Sequence, residues 1–228
     1  YDKMKLILEA SGDVEIDDLV NQILIKSQYI SYNNKNKTIL SNKNSIIEDD
    51  IGNIFLLENF IYTLDDKLIK LGKTKIIDVE ENTYLLDKAF INLKSKKLLG
   101  KDISIDFSNK SFQKDNEPRL KGNSIVSEGD NSLITKGVFT TCKKNDSCPP
   151  WEMSAKKITH NKKRKMIFYK NAWLKLYDTP VFYFPTFFHP DPSVKRQSGF
   201  LMPTIMSSSS AGDALNIPYY HVLGMNKD

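Results

Sequence analysis

The sequence predicts an all-β protein, and three observations carry that prediction. Short apolar bursts rich in Ile, Leu, Tyr and Phe alternate with polar turns from residue 13 to 110. The bursts and turns recur at a spacing of about 30 residues. From residue 151 onward aromatic residues become dense, and prolines bracket or interrupt the apolar runs. β-branched and aromatic side chains suit a pleated, half-buried surface. A fixed period of this length marks stacked supersecondary units.

The first half holds the repeat. "QYISYNNKNKTIL" at 28–40 aligns with "NFIYTLDDKLIKL" at 59–71 and "AFINLKSKKLLGK" at 89–101. Ile30, Ile61 and Ile91 then fall at spacings of 31 and 30, and upstream Ile16, Ile46 and Ile76 are 30 apart. A late copy, "KKITHNKKRKMIF" at 156–168, puts Ile158 in the place of Ile30. Each unit reads as two short strands joined by an Asn/Asp/Lys turn such as "YNNKNK", "LDDK" or "HNKKRK". Ile16, Leu19, Val20, Ile23 and Leu24 also fit helical spacing, but the later copies lack that spacing. One unit cannot bury its apolar face alone, whereas stacked units share a continuous core. The seven aligned isoleucines are therefore expected on one side of the stack. They would line an apolar groove or fill a closed core, and an ordinary β-sandwich remains the alternative architecture. "NIFLLENFIYTL" at 53–64 is apolar on both faces, as a sandwich core or an apolar-lined groove requires.

The second half has a different texture. Residues 108–136 are polar, with turns at Glu117-Pro118 and Glu128-Gly129-Asp130. Pro180 and Pro185 bracket the short strand "VFYF". "FFHPDPSVKRQSGF" has no pattern of its own and marks a boundary. Beyond it, strands at 198–205 and 215–223 are expected to pair as a hairpin turning at Ser207–Gly212. Each arm contains a proline, Pro203 or Pro218. Proline gives no N–H to a ladder, so a central strand should not carry one.

Composition narrows the function. Lys and Arg exceed Asp and Glu by 33 to 28, a formal charge of +5. The excess is spread out, apart from "NKKRK" at 161–165, which suits a solvated hairpin tip or an anion-binding patch. No basic stripe with interleaved aromatics argues for nucleic acid, while an acidic, phosphorylated amphiphile fits the weak positive bias. Cys142 and Cys148, with His160, His189 and His221, form no metal-ligand spacing, and no cofactor motif is present. The two cysteines are open to two readings, free thiols or an oxidised pair in an extracytoplasmic protein. Acidic pairs sit in turns, Asp49-Asp50, Asp65-Asp66 and Glu80-Glu81, rather than converging for acid/base work. A polysaccharide-active solenoid enzyme is thereby disfavoured. No apolar run of about 18 residues predicts a membrane-spanning helix, a test to which a spanning β-barrel is blind. The chain starts and stops in mid-pattern and is expected to be a piece of a longer protein.

Four ordered motifs carry a resemblance. "GVFTTC" (137–142), "WEMSAKKITH" (151–160), "PVFYFPTFFHPDPSVKRQSGFLMPTI" (180–205) and "NIPYYHVLGMNKD" (216–228) resemble the LPS-assembly protein family of the Gram-negative outer membrane, LptD, also called OstA. The preceding repeats resemble its OstA-type periplasmic domain more loosely. The resemblance implies a periplasmic β-jellyroll of stacked strand-pair repeats over 1–190. A linker and the first hairpin of an outer-membrane β-barrel would follow over 191–228. It implies transport of lipopolysaccharide rather than enzymatic catalysis. The acyl chains would ride in the apolar interior, arriving from a periplasmic bridge protein of similar fold. They would leave through a lateral gate in a barrel plugged by a lipoprotein. Lys195 and Arg196 would then lie at the periplasmic face, with the first membrane strand starting at Ser198. Pro203 and Pro218 match prolines at the gate, or they sit at strand ends or bulges and only shape the edge. Cys142 matches a jellyroll cysteine that bonds to one near the far C-terminus. Cys148 is an additional thiol, and Gln197 stands where the family often has a second Arg. A stand-alone periplasmic carrier of the same repeats would explain 13–110 equally well, but not the aromatic, proline-bearing C-terminal part.

Overall fold

The computed structural model describes residues 6–108, 117–144, 150–194, 198–201, 204–208 and 212–224. Among them no segment is helical, and every ladder is antiparallel. One sheet of 16 strands forms the body, and two short ladders follow it.

The repeat is built from short strands in pairs. β3 (Thr38–Ser41) and β4 (Ser45–Glu48) are two pieces of one pass across the molecule, as are β5 (Ile54–Leu57) and β6 (Phe60–Thr63). β7 (Leu68–Leu71) with β8 (Thr74–Ile77), and β9 (Thr83–Leu86) with β10 (Lys88–Asn92), repeat the arrangement. The pieces separate into two leaves. β4, β5, β8 and β9 pair in series as the first leaf, and β3, β6, β7 and β10 as the second. Long strands join the leaves at either end. β2 (Ile23–Asn33) pairs with β4 through its first half and β3 through its second. β11 (Lys97–Asp106) pairs with β10 and then β9 in the same way. β1 (Ile7–Asp18) lies along the free side of β2.

Bends between the leaves need their own polar partners, because a buried hydroxyl without one is costly. Ser27, Ser41 and Ser45 supply them at the first bend, with Ser27 within 3.0 Å of Ser41 and Ser45 donating to Ser27 at 2.9 Å. Beyond β11 the chain crosses both leaves in single long strands, β12 (Arg119–Glu128), β13 (Asn131–Thr140), β14 (Trp151–Asn161), β15 (Met166–Leu176) and β16 (Thr179–Pro190). Glycine permits a close approach at this stage. A Cβ at Gly122 would strike Cγ2 of Ile134 and come within 3.2 Å of the Thr135 carbonyl oxygen.

The turns repeat as faithfully as the strands. On the first leaf, Asp49 accepts from the backbone N–H of Ile51 and Asn53, and Asp78 from those of Glu80 and Asn82. On the second leaf, Lys37, Lys67, Lys96 and Lys165 each close a turn with a positive φ of 50–51°. Asn33, Asn92 and Asn161 open three of those turns by accepting backbone N–H bonds. Asx-type bonding of this kind holds a turn without help from the sheet.

After β16 the chain forms a two-part hairpin. β18 (Thr204–Ser208) pairs with β19 (Gly212–Asn216), and β17 (Gly199–Phe200) with β20 (Tyr219–Tyr220). The register slips by one residue between the two ladders, from Thr204 opposite Asn216 to Phe200 opposite Tyr219. Ser207, Ser208 and Gly212, expected in the turn, are paired in the ladder, residues 209–211 lie outside the described residues, and pairing is interrupted within each arm.

Candidate functional site

The inner surface consists of cross-strand rows. On the first leaf a row runs from Ile16 through Ile25, Ile47, Phe55, Ile76, Tyr84 and Ile105 to Leu120, Phe139, Met153 and Leu174. On the second leaf the matching row is Tyr32, Ile39, Tyr62, Ile69, Ile91 and Leu98. It continues as Ser127, Ser132, His160, Ile167 and His189. The two rows face one another across a single apolar core. The core is incompletely filled. A cavity of about 400 Å³ lies between the leaves, bordered by Ile47, Ile76, Tyr84, Ile91, Leu98 and Ile125 among others. A wider depression of about 1000 Å³ on the outer face is bordered by Glu15, Lys26, Lys73, Asp87 and Asp102 together with Val14, Ile46, Leu56 and Leu85.

The mouth of the inner cavity is roofed by ion pairs between turns of opposite leaves. Lys96 Nζ lies 2.7 Å from Asp50 Oδ2, Lys162 Nζ 3.5 Å from Asp78 Oδ2, and Lys165 Nζ 3.3 Å from Glu80 Oε1. Tyr62 adds a neutral link, its hydroxyl donating to Asp18 at 2.7 Å while accepting from Asn21 at 2.8 Å. Burial and the Asp18 carboxylate push the Tyr62 phenol well above its ordinary value. Asp78 is itself buried, and also accepts from Tyr84 Oη at 2.8 Å. Burial, then Asp78, raises the Tyr84 phenol, so both tyrosines remain neutral donors.

The far end of the second row is polar. His160 and Asp191 pair through Nε2 and Oδ2, both buried. Asp191 Oδ1 also accepts from the Ser193 N–H at 2.7 Å, and the Asp191 N–H donates to the Lys165 carbonyl at 2.9 Å. Burial pushes the Asp191 carboxyl up, but the His160 and Ser193 bonds outweigh it and hold it at about 2. The segment leaving the body is thus fastened to the second leaf. Next to it, His189 Nδ1 lies 2.6 Å from the Pro190 carbonyl, an acceptor only, so Nδ1 carries the proton. Tyr169 Oη then donates to His189 Nε2 at 2.7 Å. Among the described residues, no group of three or more His, Cys, Asp or Glu side chains is arranged to hold a metal.

Aromatic rings line the way out. Phe184 and Phe187 continue the inner face onto β16, and the Phe187 ring stacks on Phe200 at 5.1 Å. Phe200 meets Tyr219 at 5.1 Å. A continuous run of rings therefore passes from the interior to the hairpin.

The seven repeat-aligned isoleucines do not share one face. Ile30, Ile76 and Ile158 are buried, and Ile16 and Ile91 pack against the core. Ile46 and Ile61 point outward, 41% and 46% exposed, while Ile47, Phe60 and Tyr62 beside them point in. Only Ile76 and Ile91 of the seven border the cavity. Pro218 lies between β19 and β20, and its carbonyl accepts from the Leu201 N–H at 2.8 Å. Cys142 is half-buried and free, its Sγ 3.6 Å from the Trp151 carbonyl oxygen. Pro203, Cys148, Lys195, Arg196 and Gln197 lie outside the described residues. Sequence reasoning missed Asp78, Tyr84, His160, His189 and Asp191. The recurrence of Asp49 and Asn53 as Asp78 and Asn82 was the available signal for the first of these.

Comparison with known proteins bears on this geometry. No family model matches the chain. A protein named LPS-assembly protein LptD from Nitrosococcus oceani is 32% identical over 118 residues, 51% of this chain and 16% of that protein. Proteins of the same name from Pseudomonas putida and Pseudomonas fluorescens are 31% identical over 138 residues and 34% over 113 residues. Those stretches are 57% and 48% of this chain, and 14% and 12% of the two relatives. The chain is thus homologous to LptD proteins over about half its own length, and spans a sixth or less of theirs.

Proposed function

We propose that this chain is the periplasmic part, with the first barrel hairpin, of a lipopolysaccharide-assembly protein of the outer membrane. The observation that carries the reading is the cavity: an apolar interior between two leaves, roofed by ion pairs and leading to a hairpin along aromatic rings. Its volume lies within the range of about 300–1,000 Å³ typical of sites that bury small molecules. A lipid with several acyl chains needs more room, so the leaves part at the rim when one is held. Acyl chains lie along Ile76, Ile91, Tyr84 and Leu98. The negatively charged headgroup stays at the mouth beside Lys96, Lys162 and Lys165. The chain moves its cargo without covalent chemistry.

The finer parts of the pathway follow from the same reading. A bridge protein of similar fold delivers the lipid, and a barrel plugged by a lipoprotein receives it. The prolines Pro203 and Pro218 weaken the first strands where that barrel opens. The ring-lined passage to the hairpin favours this over a stand-alone carrier. The test is a photo-crosslinking residue placed singly at Ile91, Leu98, Ile46 or Ile61 of the whole protein in cells. Capture of lipopolysaccharide is expected from the two inward positions and not from the two outward ones. Equal capture from both pairs overturns the groove.

A further inference from the structure

The outer face of the β15–β16 hairpin is unlike a solvated strand pair. Trp173 and Tyr183 stand opposite one another across the ladder, ring centres 5.1 Å apart, 43% and 41% exposed. Further along the same face Phe168 and Phe188 form a second ring pair at 6.2 Å. Between the two ring pairs stands Lys170, directly opposite Lys157 on β14. Both lysines are exposed, and among the described residues no carboxylate forms an ion pair with either. Like charges in direct opposition destabilise a ladder. A partner bearing negative charge removes that cost.

The edge beside this face excludes one class of partner. β16 ends the sheet and carries Pro180, Pro185 and Pro190. Each removes an N–H that an added strand would need, so strand addition is disfavoured here. What remains is a broad face of amphipathic rings around two cations. Trp and Tyr rings settle at the boundary between headgroups and acyl chains, and lysines reach from there to lipid phosphates. The face is also continuous with the hairpin, since Phe188 meets Phe200 at 5.7 Å.

We propose that this face rests on an anionic phospholipid surface, with Lys157 and Lys170 on the headgroup phosphates and Trp173 and Tyr183 in the headgroup boundary. The contact does not depend on what the inner cavity carries. It is tested with the whole chain and vesicles of phosphatidylethanolamine and phosphatidylglycerol, 3:1, part of the lipid brominated on its acyl chains. The chain has two tryptophans, of which Trp151 is buried, so the signal lost in Trp173→Phe belongs to Trp173. Expected is a blue shift and quenching of Trp173, absent with phosphatidylcholine vesicles and reversed by high salt. Lys157→Glu combined with Lys170→Glu should weaken binding by about tenfold or more, and Phe90→Ser, an equally exposed ring on the second leaf, should change nothing. The proposal is overturned if the chain binds the vesicles with Trp173 emission unchanged, which would leave the hairpin alone as the anchor. It is equally overturned if neutral vesicles quench Trp173 as well as anionic ones.

Discussion

His189 makes the body of the protein sensitive to acid in a defined window. The ring is fully buried, donating from Nδ1 to Pro190 and accepting at Nε2 from Tyr169. Burial lowers its pKa from 6.5 to about 4, against the smaller opposing pull of the Pro190 carbonyl and Asp191. In the unfolded chain the ring takes up a proton as the pH falls through 6.5. In the folded chain it does so only near 4. The unfolded state therefore binds more protons between those values. Stability is complete above the higher one and declines as the pH falls towards the lower one. A tenfold difference in proton affinity between the two states is worth about 1.4 kcal/mol, so the total loss approaches about 3 kcal/mol. Asp191, held at about 2, loses its contribution only below its ordinary 3.8, outside this window. The perturbation is His189→Phe, which keeps a ring among Phe139 and Phe187 but cannot titrate. At pH 7.5 the variant should be about 1–3 kcal/mol less stable, because Tyr169 and Pro190 lose their partner. At pH 4.5 the wild type has given up most of its advantage, and the two unfolding curves in urea should nearly coincide. A gap of unchanged size at both pH values would refute the argument.

Four other outcomes follow from the geometry. Ile47→Ala should cost about 2–5 kcal/mol in urea unfolding, as a core truncation does, while Ile46→Ala next to it should cost less than about 1 kcal/mol. Gly122→Ala should cost about 1–3 kcal/mol and more than Gly137→Ala, because the former meets a stiff Ile134 methyl and a backbone oxygen, whereas the latter meets the end of the Ile158 side chain, with the Ile134 methyl at ordinary contact distance and no backbone atom among its nearest neighbours. Asp50→Ala breaks the exposed pair with Lys96 but leaves that lysine for a headgroup, so it should change stability by less than about 1 kcal/mol yet raise capture of lipopolysaccharide at Ile91; unchanged capture would separate the pair from access. Mass spectrometry of unreduced peptides from the outer membrane should find Cys142 bonded to a cysteine beyond residue 228, and two free thiols would refute that pairing.

The strand class and the repeat could be read from residues alone. The inward face could not be read as reliably, and the reason is one residue. The aligned isoleucines step by 30 and 31, whereas the inner row steps by 29, from Ile47 to Ile76 to Ile105. In a strand a slip of one residue turns a side chain to the opposite face, and this placed Ile46 and Ile61 outside. The turn carboxylates show a second limit. Asp65 and Asp66 are exposed as turn residues usually are, but Asp78 is buried beneath Tyr84 and Lys162. Burial at a turn depends on what the opposite leaf brings over it, a contact between Asp78 and Lys162 that lie 84 residues apart in the chain. The same holds for His160, His189 and Asp191, scattered in sequence and adjacent only because β14, β15 and β16 align them.

Every lysine in the three rim pairs belongs to one leaf and every carboxylate to the other. Under the proposed function, that sorting would make the mouth an ion-exchange strip. An incoming anion takes a lysine from its carboxylate, so the number of compensated cations never falls during loading. The displaced carboxylates are provided for as well. Asp50, with 31% of its side chain exposed, rehydrates. Asp78, at 5%, keeps the bonds from Tyr84 and Asn82 when Lys162 leaves it. The two leaves can part pair by pair, beginning at either end, without leaving a bare charge in the apolar interior. A neutral amphiphile finds no such exchange, since it has to break each pair outright. On that proposal, discrimination between the two kinds of cargo would begin at the rim, before any acyl chain reached Ile76 or Ile91.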